Sequence, residues 1–103
     1  MKTVLITGAT SGIGLALARL LAGANWHVLA CGRTAERCDA AKAAVLKENP
    51  DARIVFFSAD LRQQREVNRL AGEIGTYLEQ ACGGRLDVLI SNAGFVTSWY
   101  STT

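Results

Sequence analysis

The sequence is poor in the residues that staple small folds or hold metal ions. Its three cysteines, Cys31, Cys38 and Cys82, are odd in number and form no Cys-x-x-Cys pair, and His27 is the only histidine. That excludes a disulfide framework and a zinc site, and leaves the thiols as small buried or half-buried side chains of a reducing cytosol. His27 stands just before an apolar run and reads as the opening residue of a strand, not a ligand or a base. Net charge is low too: 11 Lys and Arg face 9 Asp and Glu, which gives no reason to expect nucleic acid or an acidic membrane surface as a partner. A long apolar run is also lacking. Residues 4–24 carry only Arg19 as a charge, but Thr7, Gly8, Thr10, Ser11, Gly12 and Gly14 break the stretch before a signal-peptide core or a membrane span forms. No targeting segment is read, and a cytoplasmic location is the expectation. Repeats, linkers and low-complexity tracts are missing as well.

What is present is an alternation of short β-branched runs and longer helical ones, in a chain that is 50% apolar and 19% charged, as expected of one folded domain. Residues 2–7 read as a strand buried on both faces and 27–31 as a second buried strand, with 53–59 and 86–91 as the third and fourth strands. Residues 13–22, 34–49 and 63–82 read as helices. The second helix has Thr34 as N-cap, Glu36 in its first turn, Lys47 in its last, and Pro50 beyond its end. The third repeats Val67, Leu70, Ile74, Leu78 and Ala81 at three- and four-residue spacing. A β-α-β-α-β-α-β order calls for a parallel sheet with right-handed crossovers, and the expected arrangement is α/β and doubly wound, with strand order 3-2-1-4. Two helices then cover one face and a single helix the other, and the fourth strand is an uncovered apolar edge.

Three glycines open the first helix, in Thr7-Gly8-Ala9-Thr10-Ser11-Gly12-Ile13-Gly14, although glycine costs a helix about 1 kcal/mol relative to alanine. Between a strand and a helix, however, glycine lets an anion approach the free N–H groups and the partial positive charge of the helix N-terminus. A tight turn with close helix packing is the alternative reading. A Walker A loop is excluded because Leu15, not Lys, follows Gly14. The spacing also differs from Gly-x-Gly-x-x-Gly.

Residues 7–14 resemble the Thr-Gly-x-x-x-Gly-x-Gly motif of the short-chain dehydrogenases/reductases, and the resemblance runs over essentially the whole chain. Asp60-Leu61, after the third strand, resembles the acidic pair that holds the adenine ring in that family. Asn92-Ala93-Gly94, after the fourth, resembles most of its Asn-Asn-Ala-Gly motif, with Ser91 in place of the first Asn. The resemblance implies a Rossmann-like fold and a dinucleotide bound by Gly8, Thr10, Ser11, Gly12, Ile13, Gly14, Asp60, Leu61, Asn92, Ala93 and Gly94. Asp60 could equally be a helix N-cap and Asn92 a turn residue. The first and fourth strands nevertheless flank the switch point where ligand crevices open in such sheets.

Cofactor choice is read at the end of the second strand. An acidic residue there would bind the ribose hydroxyls of NAD and repel a 2′-phosphate. This chain has Gly32 and then Arg33, and a guanidinium grips a phosphate through two charge-assisted bonds of about 1.5–3 kcal/mol each. NADP is favoured over NAD. Arg37 either assists Arg33 or is a solvated surface residue.

Catalysis in the resembled family depends on a Tyr-x-x-x-Lys pair and an upstream Ser. Tyr77 is followed four residues later by Ala81, and no residue stands four past Tyr100. The expectation is therefore the cofactor-binding half of a longer oxidoreductase that moves hydride between NADP(H) and a small carbonyl or alcohol, with residues 1–103 inactive alone. A stand-alone, non-catalytic dinucleotide-binding module and an unstable truncated product are the other readings. Trp99 and Tyr100 bear a slight resemblance to retinol-dehydrogenase-like members, where they would border a lipophilic substrate.

Overall fold

A parallel strand inside a sheet is covered on both faces, so every side chain along it must tolerate burial. The first strand, β1 (Thr3–Thr7), meets that demand with all five residues buried. The computed structural model, which describes residues 1–92, continues through α1 (Gly12–Gly23), β2 (His27–Gly32), α2 (Ala35–Glu48), β3 (Arg53–Ser58), α3 (Gln64–Ala81) and β4 (Val88–Ser91). All strands pair in parallel, in the order β3-β2-β1-β4. This is the Rossmann-like order that the resemblance implies. Helix α2 starts as its sequence requires, with the Thr34 hydroxyl accepting the Arg37 N–H at 3.2 Å, a cap worth about 1 kcal/mol.

The period-2 geometry of the strands divides the core into two layers. Val4, Ile6, Val28, Ala30 and Ile54 face Ala18 and Ala22 of α1 and Val45 of α2. Leu5, Leu29 and Cys31 point the other way, against Leu70 and Ile74 of α3. Ile6 and Leu29 are fully buried, each contributing about 1.5–3 kcal/mol by leaving water. On β4 the apolar side chains outrun their cover on both faces: Val88, in register with Val4, is 39% exposed and Leu89, in register with Leu5, 43%, because β4 is the edge strand of the described sheet.

Contacts at the amino ends of the strands fix the register. The Thr3 N–H donates to Asp87 Oδ2 at 2.7 Å, and the Asp87 N–H returns to the Thr3 carbonyl at 2.9 Å. His27 opens β2, buried, with Nε2 2.6 Å from Tyr77 Oη and Nδ1 3.5 Å from Cys82 Sγ. Cys31, Cys38 and Cys82 are free thiols. Among the described residues no helix is long and apolar enough to cross a membrane, and no cluster could hold a metal ion.

Candidate functional site

At the carboxyl ends of the strands the chain leaves a cleft of about 520 Å³. Its first wall is the turn from β1 into α1. Gly8 and Gly12 both have positive φ, 64° and 58°, a region in which a Cβ is strained. Ser11 is the N-cap residue but makes no side-chain cap bond, and the first helical bond runs from the Leu15 N–H to its carbonyl. The N–H groups of the first turn therefore precede any intrahelical partner, and they open toward the cleft beside the positive end of the helix.

Gly14 has a different role. A Cβ there would stand 2.0 Å from the Gly8 carbonyl oxygen and 2.7 Å from Asn92 Nδ2. Gly14 therefore does not line the cleft. The helix turns it inward, so that α1 seats against the end of β1. Asn92 completes the seat: its side-chain amide donates to the Gly8 carbonyl at 3.2 Å and its N–H to Thr7 Oγ1 at 3.0 Å.

The second wall comes from the ends of β2 and β3. Gly32, Arg33 and Arg37 line it, together with Ala59, Asp60 and Leu61. The Cys31 carbonyl accepts the Ala9 N–H and the Gly32 carbonyl the Ala59 N–H, both at 2.9 Å, which ties the three strand ends into one rim. Cys31 lies in the floor, and burial pushes its thiol up to about 12, so it is inert there.

Asp60 does not cap α3. That helix begins only at Gln64, with Gln63 as N-cap, because Asp60 instead closes a turn in which its carbonyl accepts the Gln63 N–H at 3.1 Å. Its carboxylate takes both the guanidinium and the N–H of Arg62, at 2.9–3.1 Å. Those bonds, the side chain's first, hold the carboxyl down at about 2. Arg33 adds its charge to the Asp60 environment, but neither Arg33 nor Arg37 forms an ion pair among the described residues, and both guanidinium groups line the cleft.

The structure thus gathers Gly8, Thr10, Ser11, Gly12, Ile13, Arg33, Asp60, Leu61 and Asn92 around one cleft and sets Gly14 behind it. Ala93 and Gly94 lie outside the described residues, as do Trp99 and Tyr100. Sequence reasoning passed over Cys31 and Ala59, although both follow from the rule that ligand crevices form at the carboxyl ends of parallel strands. Chemically, the cleft offers N–H donors and positive charge, with neither histidine nor a reactive thiol among the described residues that line it. It is suited to holding an anionic ligand.

The sequence matches the short chain dehydrogenase family over residues 2–102. It is 40% identical over 93 residues to a fatty acyl-CoA reductase of Acinetobacter baylyi, covering 90% of this chain and 29% of that one. It is 38% identical over 95 residues to a D-beta-hydroxybutyrate dehydrogenase of Cupriavidus necator, covering 90% of this chain and 33% of the relative. Among solved structures, a short chain oxidoreductase from Pseudomonas aeruginosa, bound to NADPH and described as having an atypical catalytic center, superposes with a TM-score of 0.77 at 33% identity, over 90% of this chain and 34% of its own. The chain thus spans a third or less of the length of these two curated relatives. The likeness to retinol dehydrogenases receives no support from these comparisons.

Proposed function

The chain belongs to the short chain dehydrogenase family, and from that premise we propose that residues 1–103 are the dinucleotide-binding part of an oxidoreductase that uses NADP(H). One observation carries the choice of cofactor: two guanidinium groups, Arg33 and Arg37, which form no ion pair among the described residues, share a cleft with a helix N-terminus that Ser11 does not cap with its side chain. A dinucleotide carries a pyrophosphate, and NADP adds a 2′-phosphate. The residues fit that charge pattern. Gly12 has open space where a Cβ would stand, so the pyrophosphate has a path to the N–H groups of α1. Arg33, with Arg37 beside it, would grip the 2′-phosphate, while Asp60 and Leu61 would border the adenine and Asn92 to Gly94 the far end. Gly14 serves by holding α1 against β1. The NADPH bound to the Pseudomonas oxidoreductase supports the same reading.

When bound, the nicotinamide would supply or accept hydride. The residues of this chain bind and orient it; they include no Tyr-x-x-x-Lys pair, and we assign proton transfer to the remainder of the whole protein. Its substrate is a small carbonyl or alcohol. The three free thiols fit a reducing compartment.

A thermal-shift titration with NADPH and NADH tests the proposal. At a hundred times the dissociation constant, binding to the folded state alone adds about 2.7 kcal/mol of stability. A larger shift with NADPH is expected, and no shift with either nucleotide overturns the assignment.

A further inference from the structure

The packing beneath Arg33 extends the cofactor reading. Gly32 ends β2 and lines the cleft. A Cβ on it would stand 2.3 Å from Thr10 Cγ2 and 2.8 Å from Cys38 Sγ, far inside van der Waals contact. The backbone has little room to retreat, because the carbonyls of Cys31 and Gly32 hold the N–H groups of Ala9 and Ala59 at 2.9 Å. Gly32 therefore answers a lack of space and not a need for positive φ. It occupies the place from which an acidic side chain would reach the ribose hydroxyls of NAD and repel a 2′-phosphate.

We infer that Thr10 and Cys38 are specificity-determining residues: by filling the space beside Gly32 they bar an acidic side chain from the ribose and keep the cleft selective for the 2′-phosphorylated dinucleotide. The inference rests on the cofactor assignment above. Both act through the size that residue 32 is allowed. Neither has to touch the nucleotide for this. The obstructing atoms are each the end of a short side chain and can be removed singly, Cys38 Sγ with the loss of its 3.6 Å hydrogen bond to the Phe57 carbonyl. Thr10→Ser deletes Cγ2 and keeps the hydroxyl, and Cys38→Ala deletes Sγ.

The experiment places Gly32→Asp in two backgrounds, the unaltered chain and the Thr10→Ser/Cys38→Ala chain. Melting temperature and the NADPH-to-NADH affinity ratio are measured in each. In the unaltered background Gly32→Asp should lower the melting temperature sharply, or abolish the transition, and weaken both nucleotides together. In the opened background the same substitution should cost little stability and move the ratio toward NADH by about tenfold or more, the change expected from one charge-assisted hydrogen bond. A purely structural role would change stability without moving the ratio. Equal effects of Gly32→Asp in the two backgrounds overturn the inference. So does a triple variant that stays selective for NADPH or fails to melt cooperatively. If the unaltered chain melts cooperatively but responds to neither nucleotide, the cofactor assignment falls first and carries this inference with it, a failure visible before any variant is made.

Discussion

At the amino ends of the strands, side chains meet side chains. Asp87 clasps Thr3, and His27 sits between the Tyr77 hydroxyl and the Cys82 thiol, with its ring edge-on to Tyr77 at 5.5 Å. At the carboxyl ends of the same strands the chain retreats. Glycine stands at positions 8, 12 and 32, the helix has no side-chain cap, and Arg33 and Arg37 lack ionic partners among the described residues. One end satisfies its polar groups internally, which favours stability. The other leaves N–H donors and positive charge facing an open cleft, where a ligand or water can satisfy what no partner among the described residues does. The contrast shows how a single sheet separates what holds it together from what it presents.

The largest effect is expected where the two demands meet, at Gly14, whose contacts support the cleft without lining it. Gly14→Val would drive its Cβ into the Gly8 carbonyl and the Asn92 amide. Because the first obstacle is backbone, the cost should be about 3 kcal/mol, at the upper end for overpacking, measured by urea unfolding. Gly12→Ala has open space but positive φ, so it should cost about 1–2 kcal/mol. Equal costs at the two positions would remove the distinction drawn between them.

A second substitution bears on the cleft end alone. Arg33→Asp should weaken NADPH about ten- to a hundredfold and turn the preference to NADH, while the urea midpoint stays put because Arg33 is exposed and outside any ion pair among the described residues. Unchanged NADPH affinity would dismiss Arg33 from the proposed site.

The two ends also differ in how far they can be read from sequence. The alternation of strands and helices, the two-layer core and the Thr34 cap follow from local periodicity and composition, the strand order from the fold that the motifs resemble, and the structure shows each. The positions around the cleft follow as well, since topology alone carries the ends of β1, β2, β3 and β4 to one edge. What stayed hidden depends on contacts between distant segments. Gly32 reads as a missing acidic residue until Thr10 and Cys38 are seen against it. Asp60 reads as a cap until the later start of α3 leaves it to Arg62. The meeting of His27 with Tyr77 and Cys82 spans more than half the chain, and no motif announces it.

At the amino end the expected effects are smaller and should leave the cleft unchanged. Tyr77→Phe removes the hydroxyl beside His27 Nε2. A half-satisfied imidazole in a buried position costs about 1–2 kcal/mol. The NADPH-to-NADH ratio should not move, and a shift in that ratio would contradict the separation of the two ends.

The smallest effect is a pH dependence carried by His27. Burial first, and then the positive charge of Arg53, lower its pKa from the ordinary 6.5. The groups facing it are Tyr77 on α3, Cys82 just beyond that helix, and Arg53 on β3. Tyr77 is itself pushed up, chiefly by burial, so it remains a neutral hydroxyl and offers no negative charge to a protonated ring. As pH falls below about 6.5, the unfolded chain takes up the proton before the folded one does. The stability contributed by neutral His27 is therefore complete above that pH and declines through the window down to the lowered folded value. The melting temperature should fall modestly between about pH 7.5 and about pH 5.5, and His27→Gln, which keeps a polar group between Tyr77 and Cys82 but cannot titrate, should flatten that fall. An equally steep fall in the variant would move the dependence onto other groups and take His27 out of the account.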